Sequence, residues 1–125
     1  MKKGNIILDK SFSLTIIELY KLLLKKNEYV ISKQILRSGT SIGANIEEAT
    51  AANSSKDFVY KMSIASKEAR ETKYWLKLLD KSQIIVYDYS KFHIEINEII
   101  NILTSIVKTT QSKLTQSKNN STLKI

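Results

Sequence analysis

Apolar residues recur along the chain at the spacing of amphipathic α-helices in four separate segments. The segments cover about residues 9–27, 30–52, 54–80 and 90–114. Within each one, apolar side chains follow at intervals of three and four residues, so that they share one helix face. In chain order the stripes are Phe12, Ile16, Leu19 and Leu23; Ile31, Ile35, Ile42, Ile46 and Ala49; Phe58, Met62, Ala65, Ala69, Leu76 and Leu79; and Phe92, Ile96, Ile99, Leu103 and Ile106.

The breaks between these segments are short. Ser54, three residues before Asp57, resembles a capping box with Asp in place of Glu and marks the start of the third helix. Successive apolar stripes joined by short connections are typical of an antiparallel bundle. We therefore predict an all-α, up-and-down four-helix bundle domain over residues 9–114. A flexible basic N-terminus over residues 1–8 and a disordered basic tail over residues 115–125 are expected to flank it.

The composition narrows the chemistry that the chain can perform. With 125 residues it is long enough for one sizeable core, and it contains no cysteine and no proline. Disulfide scaffolds, thiolate metal sites and cysteine nucleophiles are therefore excluded. The apolar run near the start covers only Ile6 to Leu8, which is too short for a signal peptide or a membrane span. We expect a soluble cytoplasmic protein without a membrane partner.

No residue pattern predicts catalysis or a cofactor. His93 is the only histidine, so it cannot build a dinuclear metal site, and the Glu-x-x-His pairs of di-iron bundles are absent. Gly39 and Gly43 lack the further glycine and lysine positions of a phosphate-binding loop. We predict a non-enzyme with no catalytic, cofactor-binding or metal-binding residues.

The net charge of +8 is concentrated at the two ends of the chain. Residues 1–27 and 108–125 each carry +4, whereas residues 28–107 contain ten basic and ten acidic side chains. Basic ends favour a polyanionic partner, because lysines near phosphates release condensed counterions. The alternative is composition bias, since 18 of the 20 basic residues are lysine, which A/T-rich coding sequences favour together with isoleucine.

The third helix carries a basic flank beside its apolar stripe. At 100° per residue, six cations and one aromatic ring fall on this flank: Lys56, Lys67, Arg70, Lys73, Tyr74, Lys77 and Lys81. This arrangement favours nucleic-acid binding, with cations at phosphates and a ring for base stacking. The alternative is a solvated face whose lysines pair along the helix, such as Lys67 with Glu71 and Lys77 with Asp80.

The opposite flank of the third helix combines acidic side chains with a second apolar strip, formed by Ile64, Trp75 and Leu78. Apolar surface outside the core of a single bundle would be exposed to water, which is unfavourable, so we predict that a neighbouring subunit covers this strip. An acidic flank beside a basic one also suits head-to-tail ring closure. The alternative is that Trp75 covers an adjacent helix of its own bundle.

Two of the three glycines, Gly39 and Gly43, lie four residues apart inside the second helix. Each costs roughly 0.5–1 kcal/mol relative to alanine, so a close neighbour should offset the cost. We place both at the oligomer interface, where a flat surface would admit a helix of another subunit. The alternative is that they accommodate bulky core side chains such as Phe58, Trp75 or Phe92.

A polar line runs beside the apolar stripe of the second helix. Arg37, Ser41, Asn45 and Glu48 follow at intervals of four, four and three residues. These side chains either form a hydrogen-bonded network with a neighbouring helix or lie on a solvated face.

Two stretches of the chain resemble a known family. QILRSGTSIGANIEEA at residues 34–49 and SSKDFVYKMSIASKEARETKYWLKLL at residues 54–79 are similar to the four-helix bundle proteins encoded inside intervening sequences of bacterial 23S ribosomal RNA genes. The resemblance covers roughly residues 10–112. At residues 49–51 this chain has Ala-Thr-Ala, where many relatives have Gly-aromatic-Gly or an arginine.

The resemblance implies a homo-oligomeric ring, a pentamer. It also implies kinship with the accessory variability proteins of diversity-generating retroelements, which are similar bundles that bind nucleic acid and a reverse transcriptase. We therefore predict a non-enzymatic homo-oligomeric bundle that binds RNA or DNA through a lysine-rich surface, as an accessory to a reverse transcriptase or another nucleic-acid-processing enzyme. The alternative is a protein–protein interaction scaffold whose basic charge is incidental.

Overall fold

The structure, a computed structural model, describes residues 10–123. Over these residues it contains four α-helices and no strand: α1 Ser11–Lys25, α2 Ile31–Thr50, α3 Ser55–Ser82 and α4 Ser90–Leu123. The predicted all-α class with four helices is confirmed. The predicted flexible N-terminus, residues 1–8, lies outside the described residues. None of the four described helices combines the length and the apolar composition needed to cross a bilayer.

A tight turn joins α1 to α2, and one carboxylate organises it. Asn27 takes the left-handed conformation with φ 66°, and the backbone N–H of Glu28 donates to the carbonyl of Leu23 at 2.8 Å, as in a Schellman motif. The Glu28 side chain then turns to the start of α2. Its Oε1 accepts from the backbone N–H groups of Val30 at 3.1 Å and Ile31 at 2.9 Å. Its Oε2 accepts from the next N–H, one residue further, at 2.6 Å.

The start of α3 follows the predicted capping pattern. The Ser54 side chain accepts a hydrogen bond from the backbone N–H of Asp57 at 3.1 Å. Ser54 is extended, with φ −147° and ψ 159°, as expected of a residue that precedes a helix. The acidic side chain of Asp57 lies in the first helical turn, where the helix dipole favours a negative charge.

The connector between α3 and α4 is held at both of its ends. Gln83, with φ 48°, ends α3 in the left-handed conformation. Before α4, Asp88 Oδ1 accepts from the hydroxyl of Ser90 at 2.6 Å and from its backbone N–H at 3.0 Å, and these bonds lower the pKa of Asp88 below its ordinary value. Tyr89 is buried between these points, and its hydroxyl donates to the carbonyl of Ile85 at 2.9 Å.

The four helices share one apolar core. Apart from Ile31, Phe58 and Ile106, which are half-buried and pack against the core, every side chain of the four predicted stripes is buried. Two hydroxyls are also enclosed between α2 and α3. The Thr72 hydroxyl lies 2.9 Å from Ser38 Oγ and 2.8 Å from a backbone carbonyl one turn earlier. Because the carbonyl can only accept and a hydroxyl has one proton, the Thr72 hydroxyl donates to the carbonyl and accepts from the Ser38 hydroxyl.

The last helix is longer than the sequence pattern indicates. The tail from residue 115 was expected to be disordered, whereas α4 continues to Leu123. The segment after residue 107 contains no glycine and no proline, so nothing interrupts a helix that the core has already nucleated. Its polar composition therefore marks exposure to solvent rather than the end of the helix.

Gly39 allows α1 to approach α2 closely. A Cβ atom at Gly39 would lie 2.8 Å from Ile16 Cγ2, well inside van der Waals contact, and Gly39 is buried within the chain. At Gly43 an added Cβ would meet Ser13 Oγ at 3.2 Å. The close neighbour of Gly39 is thus Ile16, a core side chain of α1 in the same chain, so the alternative of a bulky core neighbour holds with a different residue from those considered. Gly39 is enclosed by its own fold and presents no surface to a second subunit, which corrects its predicted place at the oligomer interface.

Candidate nucleic-acid interface

The acidic flank of α3 faces α2, where its carboxylates bind one arginine. Arg37 Nη1 lies 3.2 Å from Glu68 Oε2, and its Nη2 hydrogen-bonds the carboxylate of Glu71. The same carboxylate accepts from the indole N–H of Trp75 at 3.0 Å. The polar line of α2 therefore takes part in a network with α3. These two carboxylates are therefore bound within the chain, which leaves the predicted head-to-tail ring closure a prediction.

A second ion pair crosses the same helix interface. Lys61 Nζ of α3 lies 2.9 Å from Glu48 Oε2 of α2. The hydrogen bond to Glu48, with the attraction between the two charges, raises the pKa of Lys61 above its ordinary value. The α3 lysine that forms this ion pair therefore lies on the side of α3 that faces α2, and the basic flank takes no part in the pair.

The basic flank of α3 has no neutralising acids among the described residues. The lysines Lys56, Lys67, Lys73, Lys77 and Lys81 form no ion pair within 4.0 Å there. The alternative pairs along the helix do not form, because Glu71 binds Arg37 and Asp80 lies 3.4 Å from His93 Nε2. A stripe of uncompensated positive charge is therefore exposed along this side of α3.

A polar groove of about 510 Å³ lies between the basic flank of α3 and the adjacent face of α4. Its lining residues are Arg70 and Lys73 from α3, with Asn97, Ile100, Asn101, Thr104, Ser105 and Lys108 from α4. The Arg70 guanidinium donates to the Thr104 hydroxyl at 3.1 Å, which holds it over the groove. The lining contains three cations and no acid. The groove is thus electrostatically suited to an anion.

Sequence reasoning found the α3 side of this groove and missed the α4 side. Asn97, Asn101, Thr104 and Lys108 follow at intervals of four, three and four, beside the apolar stripe of α4. The period alone could have identified this second polar line. It was overlooked because three of its four members are uncharged. Beyond Lys108 the polar line continues along α4 and borders a further shallow groove lined by residues 108–119.

The aromatic ring predicted for stacking is accessible. Tyr74 is 54% exposed, and its ring meets the edge of the Trp75 ring with centroids 5.2 Å apart. Tyr60, about four helical turns earlier on α3, is 61% exposed. The Lys61 ammonium lies 5.9 Å from the centre of the Tyr60 ring. Ring faces are therefore present beside the positive stripe.

Comparison with known proteins places the chain in a family. The sequence profile described as 23S rRNA-intervening sequence protein matches residues 5–105. This chain belongs to the 23S rRNA-intervening sequence protein family. A similar solved structure is a protein of unknown function from the S23 ribosomal protein family of Bacteroides thetaiotaomicron, with 49% sequence identity and a TM-score of 0.79. The match covers 86% of this chain and 99% of the other. No curated protein matches the sequence.

In this member of the 23S rRNA-intervening sequence protein family, the predicted interface strip is partly enclosed by its own bundle. Ile64, Trp75 and Leu78 are each half-buried, and Trp75 packs against the core. Large apolar side chains with greater exposure lie elsewhere, at the helix connectors and on α1, α3 and α4. Examples are Val86, which is 85% exposed, and Leu14, which is 60% exposed.

Neither the family match nor the residues point to chemistry at a bound metal. Within residues 10–123 no three histidine, cysteine or acidic side chains lie close enough together to hold an ion. His93 is half-buried, and its Nε2 lies 3.4 Å from Asp80 Oδ2, where the start of α4 passes the end of α3.

Proposed function

We propose that this 23S rRNA-intervening sequence protein is a cytoplasmic, non-enzymatic bundle that binds RNA or DNA along the α3–α4 groove. The observation that carries the proposal is the segregation of charge on α3. Glu68 and Glu71 of α3 are bound to Arg37 of α2, and the lysines of the basic flank have no acidic partner among the described residues. A phosphate backbone would supply the missing negative charge and release its own counterions.

Arg70 is the best-placed phosphate ligand of this surface. The hydrogen bond to Thr104 fixes one side of its guanidinium, so less conformational freedom is lost when the remaining N–H groups bind a phosphate. Lys73 lines the same groove, while Lys67 and Lys77 extend the positive stripe along the exposed face of α3. The family resemblance supports an accessory role beside a reverse transcriptase or another nucleic-acid-processing enzyme.

A charge-matched comparison tests this proposal. The test variant replaces Lys67, Arg70, Lys73 and Lys77 with alanine, and the control replaces Lys21, Lys25, Lys26 and Lys33, which lie on α1, on α2 and in the turn between them. Binding of a labelled RNA is followed by fluorescence anisotropy at several salt concentrations. We expect at least tenfold weaker binding and a shallower salt dependence for the test variant only. Equal losses in both variants would show that only the net charge matters.

We also propose that the chain assembles with copies of itself, as a ring of the kind that the family resemblance implies. The support is an apolar groove of about 370 Å³ between α1 and α2, whose lining includes Leu14, Ile17, Gly43 and Ala44. Gly43 and Ala44 leave this groove shallow enough for a helix to enter. The half-buried strip of Ile64, Trp75 and Leu78 is a second candidate contact.

Native mass spectrometry tests the self-assembly proposal. Ala44→Glu places a charge in the apolar groove, and Ala51→Glu places the same charge at the exposed end of α2 as a control. We expect the first change to lower the native mass and the second to leave it unaltered. A native mass equal to one chain in the unaltered protein would contradict the proposal. An intact oligomer that binds no RNA or DNA at low salt would favour the interaction scaffold instead.

A further inference from the structure

We infer that the α3–α4 groove takes single-stranded rather than double-stranded nucleic acid, with Asn97 and Asn101 contacting unpaired bases. The inference rests on the proposed function and specifies the form of its ligand. In this arrangement Arg70, Lys73 and Lys108 hold the sugar-phosphate backbone, and the amide groups lie beside it on α4.

The shape of the surface favours a single strand. The groove lies between two packed helices, whose axes in proteins are about 8–10 Å apart, whereas the major groove of a DNA duplex alone is about 12 Å wide. A single strand can follow this narrow seam along the surface, whereas a duplex is wider than its own major groove and would rest on the rims of the two helices. Nor does α3 stand out as a recognition helix that could enter a duplex groove, because α2 and α4 flank it on both sides.

The chemistry of the lining points the same way. Beside the three cations stand four uncharged hydrogen-bonding side chains, Asn97, Asn101, Thr104 and Ser105. Both asparagines are exposed, and neither amide has a hydrogen-bond partner among the described residues. An amide offers a donor and an acceptor together, which matches the edge of a base. Such edges are accessible when the bases are unpaired.

The spacing of the two amides suits successive contacts along one strand. Residues four apart on a helix have Cβ atoms about 5–6 Å apart, so Asn97 and Asn101 can serve neighbouring nucleotides. Tyr74 offers an exposed ring on the outer side of α3 for a base that stacks rather than pairs. Only three cations line the groove, which predicts a log–log salt slope of about −2 for a single strand.

The test compares a labelled 12-nucleotide RNA, the DNA of the same sequence, and the duplex of each, using the full chain. We expect both single strands to bind at least tenfold more tightly than the duplexes. A double variant, Asn97→Ala with Asn101→Ala, should weaken single-strand binding at least fivefold without changing the salt slope, because it removes no charge. The control variant replaces Gln34 and Asn53, two exposed amides outside the groove, and should bind as the unaltered protein does.

The outcomes separate this inference from the function on which it rests. Duplexes that bind as tightly as single strands would overturn the inference and leave nucleic-acid binding intact. An asparagine variant of unchanged affinity would also overturn it. Absence of binding to every probe at low salt would overturn both. Circular dichroism should show the same helicity for all variants, because the replaced side chains are exposed.

Discussion

Replacing Glu28 with alanine should destabilise the fold more than its position in a turn suggests. Glu28 is only 8% exposed, and its carboxylate accepts hydrogen bonds from three consecutive backbone N–H groups, those of Val30, Ile31 and Ser32. These groups lie at the start of α2, where the helix itself provides no acceptors. Glu28→Ala leaves all three without a protein partner and removes the negative charge from the positive end of the helix dipole.

The expected loss follows from these contacts. Removing a helix-capping side chain costs about 0.5–2 kcal/mol, and the lost interaction with the helix dipole adds about 0.3–1 kcal/mol. We therefore expect the free energy of unfolding to fall by about 2 kcal/mol. For a chain of this size, that loss lowers the melting temperature by roughly 8 °C. Urea unfolding followed by circular dichroism at 222 nm measures it, and the slope with urea should not change.

Two further variants make this measurement decisive. Glu28→Gln keeps one acceptor oxygen but no charge, so its stability should lie between those of the unaltered protein and Glu28→Ala. Glu18→Ala removes a carboxylate that is 72% exposed and, within residues 10–123, pairs only with Lys21 on the surface of α1, so it should cost less than about 0.5 kcal/mol. The reasoning is refuted if Glu28→Ala costs no more than Glu18→Ala.

Other substitutions probe the helix contacts and the core. Gly39→Ala should destabilise the protein by about 1–3 kcal/mol in urea unfolding, because its methyl group would press on Ile16; Gly43→Ala, with more room, should cost clearly less, and equal costs would contradict this account. Tyr89→Phe should cost about 1 kcal/mol at pH 7, since the hydrogen bond to the Ile85 carbonyl is lost. Burial raises the pKa of Tyr89, so ionisation of its hydroxyl opposes folding. The stability advantage of the unaltered protein over Tyr89→Phe should therefore shrink as the pH rises above about 10, where the unfolded chain begins to ionise. A stability difference that does not change with pH would exclude this effect of ionisation.

The apolar period of the sequence predicted the core closely, for a physical reason. Apolar side chains are stabilised by removal from water, so their spacing determines which face of each helix is buried. Examples, one from each helix, are Ile16, Ile42, Leu76 and Ile99. The Ser54 cap was equally local, because it involves residues three positions apart. Features of this kind depend on one helix at a time and can be derived from one segment.

Features that depend on pairs of helices were harder to derive. The period placed Glu68 and Glu71 on one flank of α3, but it could not specify that Arg37 of α2 would bind both. It placed Gly39 in a helix without identifying Ile16 as the neighbour. The α4 side of the groove was missed for the same reason. Asn101 is a candidate nucleic-acid contact only because it lines the same groove as Lys73, and the two residues come together only when α3 and α4 pack.

The arginine on α2 has a consequence for a surface that it does not touch. Glu71 lies four residues after Lys67 on α3, within reach of its ammonium group if the carboxylate were released. By retaining that carboxylate, Arg37 shields the basic flank from neutralisation by its own helix. Arg37→Ala would thus reduce the positive potential on the far side of α3. A loss of affinity for nucleic acid in this variant would be an indirect effect, because it would act through the release of Glu71.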